Sequence, residues 1–172
     1  FVDGIINFEG TKEWCLRDGL PEEGFLKMRW GFNPNTMTTL SLTKADAIYH
    51  YGGLHGNRPG LLDQLNTKFN VEASMDITYE ELKRNLVTSK YSLCFSMNAT
   101  NDRQELKGRV IEIPAHTVLL TEPAPELEDY YDDTEMILFE SMESLIEKIS
   151  YYNANENDYK KILINGKRAV WN

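Results

Sequence analysis

With 172 residues, the chain is long enough for one sizeable hydrophobic core and a short appended piece. An apolar share of 41% and a charged share of 26% are those of an ordinary globular domain. The net charge of −9 excludes broad nucleic-acid binding, which needs a basic footprint. No apolar run approaches the ~20 residues of a membrane span, and no signal peptide is visible. Two cysteines, Cys15 and Cys94, are too few for a disulfide framework, and Cys94 reads as a small core residue. The cytoplasm is the compartment expected. The sequence opens on Phe1 with no initiating methionine, which suggests a piece of a longer protein.

The first forty residues read as the tail of something preceding the main domain. Phe1–Phe8 is strand-like, and Thr11–Asp18 suits a short helix stopped by Gly19 and Pro21. Phe25–Trp30 suits another strand. Gly31–Thr39 has turn chemistry around Asn33-Pro34-Asn35 and reads as a linker. The expected division is 1–40, a remnant of a preceding domain with its linker, and 41–172, the main domain.

From Lys44 the pattern becomes regular. Ala45–Tyr51 is a buried-type strand ending at Gly52-Gly53. Asn57 is placed to cap a helix with Pro59 in its first turn and Leu61, Leu62 and Leu65 inward. Phe69–Ala73 is the next strand. Thr78 and Glu81 form a capping box for a helix with Tyr79, Leu82 and Leu86 inward. A third strand alternates Tyr91, Leu93, Phe95 and Met97 on one face with Ser92, Cys94 and Ser96 on the other. After a polar loop, Asn98–Asn101, Asp102 and Glu105 form another capping box. The helix expected there has Leu106, Val110 and Ile113 on one face and Glu105, Arg109 and Glu112 on another, until Pro114 ends it. Val118–Thr121 is the fourth strand, Pro125–Tyr131 a helical turn and Met136–Phe139 the fifth strand. Ser141 caps a helix with Met142, Leu145, Ile146 and Ile149 inward. A last helix over Glu156–Ile164 is expected to stop at Asn165-Gly166. Strand and helix thus alternate about five times. That pattern predicts an α/β fold, a doubly wound, Rossmann-like parallel sheet of about five strands with helices on both faces.

In such a sheet the ligand sits beyond the carboxyl ends of the strands, and two loops there carry candidate chemistry. Gly52–Arg58 is glycine-rich and runs into a helix N-terminus, where free amides and the helix dipole favour an anion. Gly53 and Asn57 lie in it, and Arg58 supplies a cation for a diphosphate; the alternative is a plain turn with a solvated arginine. The loop matches neither the dinucleotide fingerprint nor the P-loop, which argues against NAD-type and ATPase readings. The second loop starts at Asn98. On the segment after it, Glu112 is suited to accept hydrogen bonds from ribose hydroxyls and Arg109 to meet phosphate. The alternative is an ordinary ion pair of Glu105 with Arg109.

His50, His55 and His116 lack metal-type spacing, so no metal site is expected. His116, following Pro114-Ala115, is a candidate ligand contact or a structural histidine. The acidic run from Glu126 to Asp133 lacks EF-hand spacing and reads as a solvated turn.

Three stretches carry a resemblance: Gly108-Arg109-Val110-Ile111-Glu112-Ile113-Pro114-Ala115, Leu119-Leu120-Thr121-Glu122, and Pro125-Glu126-Leu127-Glu128-Asp129-Tyr130-Tyr131. Together they resemble the carboxyl-terminal domain of two-domain, GT-B fold glycosyltransferases, in the branch typified by the spore maturation protein CgeB. The similarity covers approximately Ala45–Val170 and is specific between Gly108 and Tyr152. Gly31-Phe32-Asn33-Pro34 also looks like the family's interdomain crossover. The resemblance implies transfer of a hexosyl group from a UDP- or GDP-linked sugar to an acceptor, with no cofactor and no obligatory metal. It places the donor ribose on Glu112, with Arg109 beside it, and the diphosphate near Arg58. Gly53, Asn57, Asn98 and His116 complete the expected donor-binding set. Two positions depart from the pattern: the family's glycine after Ala115 is Thr117 here, and a glutamate eight residues before Glu112 is Gln104. The resemblance also implies a partner, an amino-terminal domain carrying the acceptor site and catalytic base, so that this stretch alone is expected to be inactive.

The competing reading is a non-catalytic α/β interaction module that kept the fold and lost the site, as Gln104 and Thr117 suggest. A receiver domain fits less well, because Asp46 is mid-strand rather than at a strand end.

Overall fold

The computed structural model describes residues 5–8, 16, 25–28 and 39–170. In chain order the elements are β1 (Ile5–Phe8), β2 (Phe25–Met28), β3 (Ala45–Tyr51), α1 (Arg58–Asn66), β4 (Val71–Ser74) and α2 (Tyr79–Thr88). Then come β5 (Ser89–Cys94), α3 (Arg109–Glu112), β6 (Val118–Thr121), β7 (Ile137–Leu138), α4 (Met142–Ala154) and α5 (Glu156–Ala169). Strands β1 and β2 pair in parallel, with Ile5 opposite Phe25. Apart from Leu16 and Thr39, the expected helix over Thr11–Asp18 and the linker Gly31–Thr39 lie outside the described residues.

The main sheet has the order β4-β3-β5-β6-β7, and its five strands are all parallel. Strand β5 is central, and residues 91–96 are buried without exception, because helices cover both faces. The period-two alternation sorts them. Tyr91, Leu93 and Phe95 join Ile48, Val118 and Leu120 beneath Leu62 and Leu65 of α1, Leu145 and Ile149 of α4, and Leu163 of α5. Cys94 turns the other way, to Tyr49 and Leu119 beneath Leu82 and Leu86 of α2 and Val110 and Ile113 around α3. The α/β architecture is therefore the one the alternating pattern predicts.

The capping box of α2 forms: the Glu81 amide donates to Thr78 Oγ1 at 3.3 Å, and the Thr78 amide donates to Glu81 Oε2 at 2.9 Å. At α4 the partners are Ser141 and Ser144, each amide donating to the other's hydroxyl at 3.2 Å. Asn57 stands at the N-cap of α1 but makes no capping bond with its side chain.

Two expected elements differ. No helix starts at Asp102. The chain instead folds back on the end of β5, with an antiparallel bridge between Met97 and Gln104. The Glu105 amide donates to Ser96 O at 2.9 Å, and the Asn98 amide donates to Arg103 O at 3.0 Å. Asn101, at φ 58°, supplies the left-handed residue of the turn. Asp102 accepts from Asn98 Nδ2 at 2.5 Å and Thr100 Oγ1 at 2.8 Å, so its carboxylate closes the loop where a helix cap was expected. The helix is confined to α3, followed by a 3₁₀ turn over Ile113–Ala115. At the other end of the chain, α5 runs through Gly166 to Ala169. A Cβ on Gly166 would stand 2.5 Å from Glu135 O, so this glycine permits close packing and is not a helix stop. No helix among the described residues is long and apolar enough to cross a membrane.

Candidate functional site

From β3 the chain steps out to β4 on one side, then returns past β3 to β5 on the other. The connections leaving β3 and β5 therefore diverge and open a crevice beyond their carboxyl ends. This is the topological switch point at which open α/β sheets bind ligands. Residues 52–57 form one wall and the loop from Phe95 to Gly108 the other. The two walls touch, since a side chain on Gly56, at φ +60°, would collide with the Asn101 amide.

Arg58 spans this crevice from below. It is the first residue of α1 and only 4% exposed. Its Nη1 donates to Gly53 O at 2.8 Å on one wall, and its Nη2 donates to Met97 O on the other. The guanidinium also lies over the Phe95 ring, 5.9 Å from its centroid. Burial, and then the charge of Arg109, lower the Arg58 pKa from its ordinary value. Arg58, expected as a cation for a diphosphate or else as a solvated arginine, is buried and ties the two loops together.

Arg109, at the start of α3, is the half-buried cation of the site. Its Nη1 donates to Tyr51 O at the end of β3, and its guanidinium stacks on the Tyr51 ring, 5.2 Å from the centroid. It does not pair with Glu105. That carboxylate is taken by Arg103 Nε at 3.2 Å and by Lys107 Nζ. Glu112, also half-buried, ends α3 and accepts a hydrogen bond on Oε2 from the Tyr51 hydroxyl. Arg109 and Glu112 thus both meet the last residue of β3, at the crevice.

Asn98 sits at the mouth with its side chain engaged in closing the loop. Its Oδ1 accepts the Asp102 amide at 3.2 Å. Gly53 lies against the His55 imidazole, where a Cβ would collide with the ring. Asn57 is exposed above the first turn of α1. His116 is elsewhere. Buried at 2% exposure just before β6, it stands at the amino edge, where its carbonyl and that of Val87 accept from Lys44 Nζ at 2.7 and 2.6 Å. A cavity of about 340 Å³ lined by Asp46, Phe69, Tyr91 and Asn153 lies at that same amino edge and shares no residue with the crevice. Among the described residues no group of histidine, cysteine, aspartate and glutamate side chains is arranged to hold a metal ion.

Two residues of the site were not among the candidate site residues of the sequence. Tyr51 is one, legible only as the residue before Gly52-Gly53. Glu122 is the other, directly after β6. Its Oε2 accepts the Ser96 amide at 2.8 Å, the Ser96 hydroxyl at 3.1 Å and the Met97 amide at 3.4 Å. This carboxylate fixes the point where β5 turns into the crevice wall.

Residues 41–172 match the family described as glycosyl transferase-like. No curated protein matches the chain. Among solved structures, HepE from Anabaena in complex with UDP-glucose superposes with a TM-score of 0.79 at 10% identity, over 99% of this chain and 59% of that one. The sucrose-phosphate synthase of Thermosynechococcus elongatus gives 0.64 at 13% identity, over 99% and 54%. An alpha1,3-fucosyltransferase gives 0.56 at 18% identity, over 71% and 37%. The chain spans at most 59% of the length of these structures, and at such identities the likeness is one of fold.

Proposed function

From the premise that this chain belongs to the glycosyl transferase-like family, we propose that the crevice between β3 and β5 binds the nucleoside diphosphate of a sugar donor. The chain is then the donor-binding half of a GT-B glycosyltransferase of the CgeB-like branch, which passes a hexosyl group to an acceptor. The observation that carries this reading is the convergence of Arg109 and Glu112 on Tyr51 at the switch point.

In this reading the amides of Gly53–Asn57 and the N-terminus of α1 face the diphosphate, with Arg109 as its cation. Glu112 accepts from the ribose hydroxyls, and Asn98 shapes the mouth. Arg58 acts from beneath, holding the two walls at a fixed spacing, and His116 falls outside the site. Displacement at the anomeric carbon breaks the bond to the diphosphate. The negative charge left on its oxygen is met by fixed donors that need no rearrangement. The acceptor and its base are assigned to a preceding domain of the same protein, so this chain alone binds donor without turnover. The proposed compartment stays the cytoplasm.

Thermal unfolding with millimolar UDP, GDP or ADP tests the reading. A ligand at ~100 times its Kd adds about 2.7 kcal/mol to the folded state. A rise in Tm with one diphosphate, reduced by Glu112→Ala, is the expected result. No rise with any of the three would leave a non-catalytic interaction module as the better description.

A further inference from the structure

We propose that Tyr51 is a positioning residue for Glu112, and that the pair makes the site select nucleotides bearing free ribose hydroxyls. The inference rests on the donor-binding reading and adds to it a residue and a selectivity.

The Tyr51 ring has two packed neighbours. It stacks on Tyr49, with centroids 6.3 Å apart and planes 18° apart, and the Arg109 guanidinium lies over it. Tyr49 is itself fixed, since its hydroxyl accepts from Asn85 Nδ2 at 3.0 Å and meets Ser74 Oγ. The phenol is therefore aimed before any ligand arrives, and it donates to Glu112 Oε2. Burial and the neighbouring carboxylate push its pKa well above the usual tyrosine value, so it remains a donor across the physiological range.

One oxygen of Glu112 is thereby committed, and no protein donor meets Oε1 among the described residues. A lone carboxylate on a four-residue helix has rotational freedom about its side-chain bonds. Tying one oxygen to a packed phenol removes that freedom and presents the other oxygen in a fixed direction. A ribose hydroxyl donating to Oε1 then forms its bond without an ordering penalty. A 2′,3′-dideoxyribose offers no such donor and loses the bond outright.

The test measures Kd of the full chain by calorimetry for UDP, GDP and their 2′,3′-dideoxy analogues. The unmodified chain should prefer the ribonucleotide by about 10- to 100-fold, the range set by one or two hydrogen bonds to a charged group. Tyr51→Phe should shrink that preference to below about 3-fold by weakening the ribonucleotide more than its dideoxy analogue, which a uniform loss of folding would not do. Glu112→Gln, which leaves the tyrosine in place, should shrink it alone, and the double variant should lose no more than either single one. If Tyr51→Phe keeps the full preference, the inference fails while the donor-binding reading stands. If the unmodified chain binds both sugars equally, the selectivity and the role of Glu112 both fall. If it binds no diphosphate, the reading falls with them.

Discussion

The Arg109 guanidinium occupies the space that a side chain on Gly52 would fill: a Cβ there would lie 2.6 Å from Nη1 and 2.8 Å from Cζ. Gly52 also holds φ +118°, a conformation that residues with a Cβ rarely adopt. Gly52→Ala should therefore cost about 1–3 kcal/mol in urea unfolding from backbone strain. It should also weaken nucleoside diphosphate binding, because Arg109 loses its seat.

Arg58 should behave as a structural clamp. Arg58→Ala leaves the Gly53 and Met97 carbonyls without their donor in a site that is 4% exposed. A loss of about 3 kcal/mol is expected from two hydrogen bonds to a charged group, read as a fall in the urea midpoint with m unchanged. Arg58→Lys should restore only part of it, since one ammonium does not span both carbonyls as the planar fork does.

Glu122 should control the order of the wall after β5. Glu122→Gln replaces a carboxylate that accepts from Ser96 twice and from Met97 once. Hydrogen exchange at the Ser96 and Met97 amides should accelerate at least tenfold, which corresponds to about 1.4 kcal/mol. Exchange in α4, remote from that junction, should stay as it was.

Stability should rise with pH between about 4 and 6.5. His50 is fully buried, and burial holds its pKa down to about 4 against an ordinary value of 6.5, although Nδ1 contacts Leu93 O at 3.0 Å. In that window the unfolded chain takes up a proton that the folded one does not. The contribution is thus intact above pH 6.5 and lost as the pH falls toward 4, on the order of 3 kcal/mol at most. His116 is shifted in the same direction, also by burial first. His50→Gln should flatten the slope of unfolding free energy between pH 4 and 6.5.

Gly166→Ala sets two effects against each other. Alanine favours a helix by about 1 kcal/mol, but its methyl would meet Glu135 O at 2.5 Å, and a backbone carbonyl does not yield as a side chain does. Net destabilisation of about 1–3 kcal/mol is expected, visible as a lower Tm.

Most of the fold was legible because it is written in local periodicity. The alternation through Tyr91, Leu93 and Phe95, the box Thr78–Glu81 and the cap Ser141 each need only neighbouring residues. Asp102 and Glu105 have the same spacing as the other boxes, yet no helix follows. The backbone of Ser96–Asn98 offers hydrogen bonds to Arg103 and Glu105, and Asn101 accepts the left-handed turn that brings them together. A pairing of that kind depends on β5 being anchored first. The site was half legible for the same reason. Arg109 and Glu112 were singled out by the stretch Gly108–Ala115, on which the resemblance rests. That Arg58 would be buried, that Tyr51 would meet Glu112 and that His116 would lie at the opposite edge follow from strand order, which no single stretch encodes.

The sheet also ends unevenly. On one side β7 is only two residues long, and on the other β4 is four residues with Glu72 exposed on it. An open strand border is a template on which further chains can add, and brevity at one margin with an acidic side chain at the other blunts both. Brevity and charge at these two margins are expected to limit self-templated growth. Substituting Glu72 by a β-branched apolar residue would be the shortest route to aggregation.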